Sequence, residues 1–513
     1  MKKLRDILFW SGVFLVILTY ILIKPLDDLD EIWNFNTARC IADGLIPYKD
    51  ISMITTPLLG FITALFLKIF GTEMFVTRIM AALLAVVSLI VIYNICRKLE
   101  IEKSISKLLI LIIMFIMKEY YCLDYNFLVL TITLIIMLLE LKYIKNNNQS
   151  TKNDIIIGIL GGLSFCTKQS IGFLVSVIVV LSPLFDIKSK SNFKKILKKA
   201  YMRIIGILVP ILIFFIYLII TGAFSEFFSY CVWGIKTFSN SMPYEKLITS
   251  EDITIKILSI ISPIILIISI AINIIFILLK KRKNFLLLLT AYSLPIFTMS
   301  YPISDNIHFL ISIVPMYILF IYEIKLLLKG FKIINLKYLF EFIEIISFVF
   351  IIIFTGYTEI KYRNELGELS KYKALKHFNN IIVSKNILNL TERTDEYILT
   401  SEKDVYILDS NAALYMIPID RYNKNFDMFQ KGNFGKDGEN GQIDKINSQE
   451  NVRYMILRED YIQNWQTPQS VITYVRENFN KIGEVGVYDI YEKGNGVNIK
   501  IKGIKSEVIE WNY

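Results

Sequence analysis

Ile253-Thr-Ile-Lys-Ile-Leu-Ser-Ile-Ile-Ser-Pro-Ile-Ile-Leu-Ile-Ile-Ser-Ile-Ala-Ile-Asn-Ile-Ile-Phe-Ile-Leu-Leu279 contains a single ionisable side chain, Lys256. A helix of about 20 such residues crosses a hydrocarbon core of about 30 Å. In lipid the backbone must satisfy its own N–H and C=O groups, so this run reads as a membrane-spanning helix. Similar apolar blocks recur along the chain, and the alternating pattern of a membrane barrel is absent. Of 513 residues, 54% are hydrophobic and 20% charged, against about a quarter charged in a soluble domain.

Working outward from that block, spans are expected near Ile7–Ile23, Phe75–Cys96, Ile105–Met117, Phe127–Ile144, Ile155–Cys166 and Ile171–Phe185. Further spans are expected near Met202–Ile220, Ile253–Leu279, Phe285–Ser300, Ile307–Tyr322 and Leu336–Phe354. The first lacks a small-residue cleavage site after it and reads as a retained span, not a signal peptide. The five cysteines, Cys40, Cys96, Cys122, Cys166 and Cys231, show no paired spacing and read as packing residues. The net charge of +10 does not point to nucleic acid, because the basic residues sit in short loops between the spans.

Those loops fix a topology. Lys2/Lys3/Arg5, Arg97/Lys98/Lys103, Lys142/Lys145/Lys152, Lys188 to Arg203, Lys280 to Lys283 and Lys325/Lys329/Lys332 alternate with loops poor in basic residues: Lys118–Asn126, Thr167–Ser170, Ala223–Asp252 and Tyr301–Asn306. Basic loops stay cytoplasmic, so the N-terminus is expected in the cytoplasm. Pro57–Phe70 is apolar but short, which suits an interfacial helix on the outer face. The sum is an all-α polytopic membrane bundle of about eleven transmembrane helices spanning residues 1–357, with a long first outer loop at 24–74. A small α/β domain at 358–513, outside the cell membrane, follows it. Strand-like runs at Asp404–Leu408, Val452–Leu457 and Val485–Tyr491 and helical patterns at Leu366–Leu388 and Pro468–Phe479 support that domain.

The first loop carries the chemistry. Asp27, Asp28, Asp30 and Glu31 lie just beyond the first span, then come an amphipathic segment (Ile32–Ala42), Gly44, Pro47-Tyr48, Asp50 and Thr56-Pro57-Leu58. Arg78 follows at the outer end of the second span. Carboxylates at a membrane surface are costly when desolvated and often mark function. This order of motifs resembles the protein O-mannosyltransferase and lipid A aminoarabinose transferase group of the GT-C glycosyltransferase superfamily. The resemblance covers roughly residues 1–320. It implies a bundle of spans whose first external loop carries an acidic motif, and a polyprenyl- or dolichyl-phosphate-linked sugar as donor.

Three further places fit the resemblance. Leu123-Asp124-Tyr125-Asn126 lies where the group often has a second acidic or polar cluster. Gly161-Gly-Leu-Ser-Phe-Cys-Thr-Lys168-Gln169 resembles its glycine-rich span ending in Thr-Lys, the lysine facing the lipid phosphate. Tyr301-Pro-Ile-Ser-Asp305-Asn-Ile-His308 precedes a Pro-containing span, as Asp and His often do in the group.

The residue chemistry agrees. Sugar transfer needs a general base for the acceptor proton, and a carboxylate contributes about 10²–10⁴-fold in that role. Asp30 is expected as the base, with Glu31 as the second carboxylate. The leaving phosphate needs fixed positive charge, for which Lys168 and Arg78 are the candidates, with His308 as a switchable donor. Each also has a plainer reading: Lys168 snorkelling at a helix end, Arg78 or Asp124 capping a helix, His308 as a structural histidine. A divalent cation on oxygen ligands from Asp30, Glu31 and Asp124 is compatible with the pattern, but no His/Cys cluster accompanies it.

No phosphate-cradling loop is present: Gly432-Asn-Phe-Gly-Lys-Asp-Gly-Glu-Asn-Gly441 has Lys436 followed by Asp437 and reads as a flexible loop. A lipid-linked donor therefore fits better than a nucleotide sugar. The expected activity is a glycosyltransferase, hexosyl or pentosyl, acting at the outer face on a cell-envelope acceptor. A flippase of a lipid-linked sugar is the alternative, disfavoured by spans that are apolar through their centres. A membrane anchor displaying the tail would leave the elaborate first loop unexplained. In the tail, Trp465, Tyr461 and Tyr474 are candidates for stacking on sugar rings or for core aromatics.

Overall fold

The computed structural model describes residues 2–26, 29–146, 150–186, 193–237, 242–328, 337–366, 375–383, 385–461 and 467–494. Its helices run in order α1 Lys2–Ile23, α2 Leu29–Ala42, α3 Leu58–Phe70, α4 Met74–Lys98, α5 Lys103–Ile116, α6 Tyr125–Asn146, α7 Thr151–Thr167 and α8 Gln169–Leu181. They continue as α9 Phe193–Thr221, α10 Phe224–Cys231, α11 Glu245–Ile248, α12 Ile253–Leu278, α13 Asn284–Phe297, α14 Asn306–Ser312, α15 Val314–Leu328 and α16 Lys337–Leu366. The tail adds α17 Lys385–Thr400, β1 Asp404–Ile407, α18 Ala412–Met416, α19 Gly438–Ser448, β2 Val452–Leu457, α20 Gln469–Asn478, β3 Asn480–Val485 and β4 Tyr488–Glu492.

Among the described residues seven helices are long and apolar enough to cross a membrane: α1, α4, α6, α9, α12, α14 with α15, and α16. The chain is a multi-pass membrane protein. Four of the eleven expected spans fall instead on α5, α7, α8 and α13, which have 14, 17, 13 and 14 residues. Two of these start with charged residues: Lys103 begins α5, with Lys107 one turn in, and Lys152 and Asp154 lie in the first turn of α7. α16 extends past the expected end at Phe354 to Leu366.

The chain divides into two compact units. One comprises Met1–Ile21, Ile79–Phe215 and Ser241–Glu359. Here α7 and α8 form a tight hairpin in which a Cβ on Gly172 would lie 2.2 Å from the Ser164 backbone, so only glycine fits. Arg203 of α9, 1% exposed, donates to Asp154 of α7 (3.0 Å) and to Glu140 of α6 (3.1 Å to Oε2). Ser182 donates to Glu140 (2.6 Å), and Tyr292 of α13 lies 3.3 Å from the same carboxylate. The expectation of spans without ionisable groups at their centres left this clasp unforeseen.

The other unit comprises Leu22–Arg78, Ile216–Asn240 and Ile360–Tyr513. The first-loop residues are therefore grouped with the tail. A single apolar core joins Ile32, Phe35 and Ala38 of α2 with Phe378, Ile381, Ile407, Ala413, Met455 and Ile490. Leu26 N–H donates to the Ile382 carbonyl (2.7 Å) and Met74 N–H to the His377 carbonyl (2.9 Å). His377 itself bridges the Thr72 carbonyl and the Asp420 carboxylate. α3 has 13 residues, about 20 Å in length. It packs on α2 where a Cβ on Gly60 would meet Ile41 at 2.9 Å, while Leu65, Ile69 and Phe70 stay exposed.

The tail sheet has the order β1-β2-β4-β3, with β1 and β2 parallel and the other pairs antiparallel. The expected strand over Val485–Tyr491 is instead a hairpin: β3 ends at Val485, Gly486 turns with φ +56°, and β4 starts at Tyr488. The expected flexible loop around Gly432–Gly441 gives way to α19, entered through Gly435 and Gly438 at positive φ. The expected helix over Leu366–Leu388 lies partly outside the described residues. Its described part, 375–383, holds turns and a bridge, with α17 starting at Lys385.

Candidate functional site

Two clusters contain the residues singled out above, one in each unit. In the unit formed with the tail, Asp30 and Glu31 occupy the first turn of α2, where carboxylates complement the helix dipole. Asp30 is half-buried and its carbonyl accepts from Asn34 Nδ2 (2.8 Å). Glu31 is 3% exposed, and both its oxygens accept from Arg78: Nε at 2.8 Å and Nη2 at 2.9 Å. Arg78 is fully buried and also donates to the Lys24 (2.6 Å) and Pro25 (3.3 Å) carbonyls. A guanidinium so engaged ties the exit of α1 to the start of α2 and is committed to shaping the loop rather than to meeting a phosphate. Asp27 and Asp28 lie outside the described residues.

Glu31 is equally committed, which removes one of the oxygen donors expected for a divalent cation. Among the described residues no group of three or more His, Cys, Asp or Glu gathers to hold a metal ion.

In the other unit, Asp124 immediately precedes α6 and is 1% exposed. Its Oδ1 accepts from the Asn126 N–H (2.6 Å), an N-capping bond. Asn126 Oδ1 in turn accepts from Lys168 Nζ (2.7 Å), whose ammonium also lies 5.1 Å from the centre of the Tyr125 ring. Lys168 stands at the break between α7 and α8 with an extended backbone, φ −149° and ψ 107°. Asp305 caps α14 by accepting from the His308 N–H (2.8 Å), and both its oxygens lie 2.8 Å from His308 Nδ1. A carboxylate only accepts, so Nδ1 carries the proton. Burial raises the Asp124 carboxyl above its usual range, opposed by the charges of His308 and Lys168 and by the Asn126 bonds.

Asp124, Asn126, Lys168, Asp305 and His308 are thus brought into one polar cluster, with Asp124 within electrostatic reach of Lys168 and His308. Sequence reasoning missed Tyr120, whose hydroxyl accepts from Asn306 Nδ2 (3.2 Å), and gave Tyr125, quoted within the Asp124–Asn126 motif, no role beneath Lys168. The Tyr120-Tyr121 pair beside Asp124 was the available signal.

In the tail, Tyr474 donates to Asn447 (3.0 Å) and Tyr461 lies under Arg458 (5.1 Å), so both are engaged in packing. Trp465 lies outside the described residues. A small pocket opens at the carboxyl ends of β1 and β2, lined by Asp409, Ser410, Phe429, Ile456 and Thr467, none of them expected.

Residues 55–225 match the family model described as dolichyl-phosphate-mannose-protein mannosyltransferase, a segment that includes Arg78, Asp124, Asn126 and Lys168. No curated protein matches the sequence. Among solved structures, ArnT from Cupriavidus metallidurans bound to undecaprenyl phosphate aligns with a TM-score of 0.60 at 11% identity, over 96% of this chain and 98% of that one. Its apo form gives 0.57 at 11% identity over the same shares. The archaeal oligosaccharyltransferase AglB from Archaeoglobus fulgidus gives 0.48 at 12% identity, over 96% of this chain and 74% of that one. The resemblance read from the first-loop motifs is borne out: the chain has the fold of ArnT, and its residues 55–225 match the protein mannosyltransferase family model.

Proposed function

We propose that this protein is a membrane glycosyltransferase that moves one sugar from a polyprenyl-phosphate-linked donor to a cell-envelope acceptor at the outer face of the membrane. The observation that carries the reading is the ammonium of Lys168, held by Asn126 beside Asp124 and the Asp305–His308 pair, inside the mannosyltransferase family segment. A lipid phosphate is the group such a cluster suits: a fixed cation at a helix break, with a carboxylate-oriented imidazole near it.

In this reading the acceptor hydroxyl oxygen attacks the anomeric carbon as the bond from that carbon to the phosphate oxygen breaks. Asp30 takes the hydroxyl proton. Lys168 and His308 neutralise the charge that grows on the departing lipid phosphate, and Asp124 and Asn126 keep the ammonium in place. Glu31 and Arg78 hold the first turn of α2 and do not touch the reacting atoms. The charge bias of the loops supports an N-terminus in the cytoplasm and an acidic first loop outside.

The test is Asp30→Asn in membranes supplied with polyprenyl-phosphate-linked sugar. Loss of a general base lowers transfer by about 10²–10⁴-fold. Full transfer by the variant would remove Asp30 from the chemistry.

A further inference from the structure

The helix that carries Asp30 is gripped by the tail at residues that the family segment does not include. Trp33, one turn after Asp30 on α2, is 8% exposed, and its indole N–H donates to the Ser410 carbonyl at 2.9 Å, just past the end of β1. Two turns further, Arg39 is 1% exposed and donates Nη2 to the Arg421 carbonyl (2.6 Å) and to Asn36 Oδ1 (3.1 Å). Its guanidinium lies 4.7 Å from the centre of the Tyr422 ring, and Tyr422 donates to Asp43 at 2.7 Å. All these residues belong to one compact unit.

Residues three apart on a helix share a face, so Trp33 and Asp30 move together when α2 rotates about its axis. Glu31 and Arg78 pin an adjoining face of the same turn. The two bonds act on different faces of this first turn and add direction to the apolar packing of Ile32 and Phe35. The Trp33 bond also ties this turn to the loop after β1.

We propose that Trp33 is a positioning residue for the transfer reaction: its bond to Ser410 sets the orientation of the first turn of α2 and so places the Asp30 carboxylate. The tail takes part in the chemical step through this bond. The proposal rests on Asp30 being the base.

Trp33→Phe keeps an aromatic ring and deletes the single N–H, and it tests the proposal in the full chain in lipid nanodiscs. The probe is a set of polyprenyl-phosphate-linked hexoses and pentoses, using the sugar that the wild type transfers. A displaced catalytic group costs about tenfold to a hundredfold, so turnover falls by at least tenfold while KM for the donor and the melting temperature stay unchanged. Hydrogen exchange supplies a readout independent of activity: the amides of Asn34–Ala38 exchange faster in the variant. Wild-type turnover, unchanged exchange, or a loss of activity matched by global unfolding each overturns the proposal. Asp30→Asn in parallel separates the two claims: if it is active the base assignment falls, and if it is inactive while Trp33→Phe is fully active only the positioning role falls.

Discussion

Lys168 owes its place to an interruption in the chain. Its extended backbone separates α7 from α8, and the hairpin closes because Gly172 lets the helices touch. The ammonium then points to Asn126, 42 residues earlier, at 2.7 Å. Removing one preorganised donor from a developing oxyanion typically costs about 10²–10³ in rate. Lys168→Gln is therefore expected to lower transfer by that factor while leaving the folded yield intact, and Lys168→Arg to recover part of it; both are read by label transfer from a lipid-linked sugar. At this scale the sequence was informative but incomplete. Thr167-Lys168 after a glycine-rich helix pointed to the cation, and Asp124-Tyr125-Asn126 to its partner. Arg78 was expected at the phosphate. Its burial against Glu31 depends on a carboxylate 47 residues away, which no local pattern reveals.

Helices are held together here by charge as well as by apolar contact. Glu140, Asp154 and Arg203 are each at most 4% exposed and form one clasp across α6, α7 and α9. Breaking a buried pair by removing one partner costs about 3–5 kcal/mol, because the other charge is left uncompensated. Arg203→Met should lower the melting temperature in detergent markedly. A triple variant with Glu140→Gln and Asp154→Asn should regain much of the loss, since neutral groups carry no such penalty. A melting temperature unchanged in the single variant would show that water reaches the clasp. Most helices were legible as apolar runs. The clasp was not, because a lone Glu or Asp in such a run has no visible partner. Two of the spans that fell short, α5 and α7, carry lysines or an aspartate in their first turns.

Across the whole molecule, composition and packing draw different boundaries. The polar turn in composition after Tyr357 suggested a separate tail, whereas the compact unit that holds the tail also holds Leu22–Arg78 and Ile216–Asn240. Composition records which residues meet water or lipid. It is silent on which polar segments share a core. That core contains a titratable element. Asp427 is 2% exposed, and burial raises its carboxyl from 3.8 to about 7, with Arg39 opposing. A raised acid is neutral in the folded state, so its stabilising contribution is complete below about pH 4 and is lost as pH rises through about 7. At 1.36 kcal/mol per pH unit the cost above pH 7 is of order 4 kcal/mol. The melting temperature of the wild type is expected to fall between pH 5 and pH 8, and Asp427→Asn to flatten that slope; an identical slope in the variant would exclude Asp427 as its source.

The mixed ancestry of that core also has a consequence for biosynthesis. Leu22–Arg78 leaves the ribosome roughly 300 residues before Leu375, the first described tail residue of the shared core. At about 5–20 residues per second this is a wait of roughly 15–60 s. Throughout that interval Ile32, Phe35 and Ala38 lack the tail partners they bury against. The nascent first loop therefore spends its early life as an open face, and Asp30 and Glu31 acquire their final setting only when translation is nearly over.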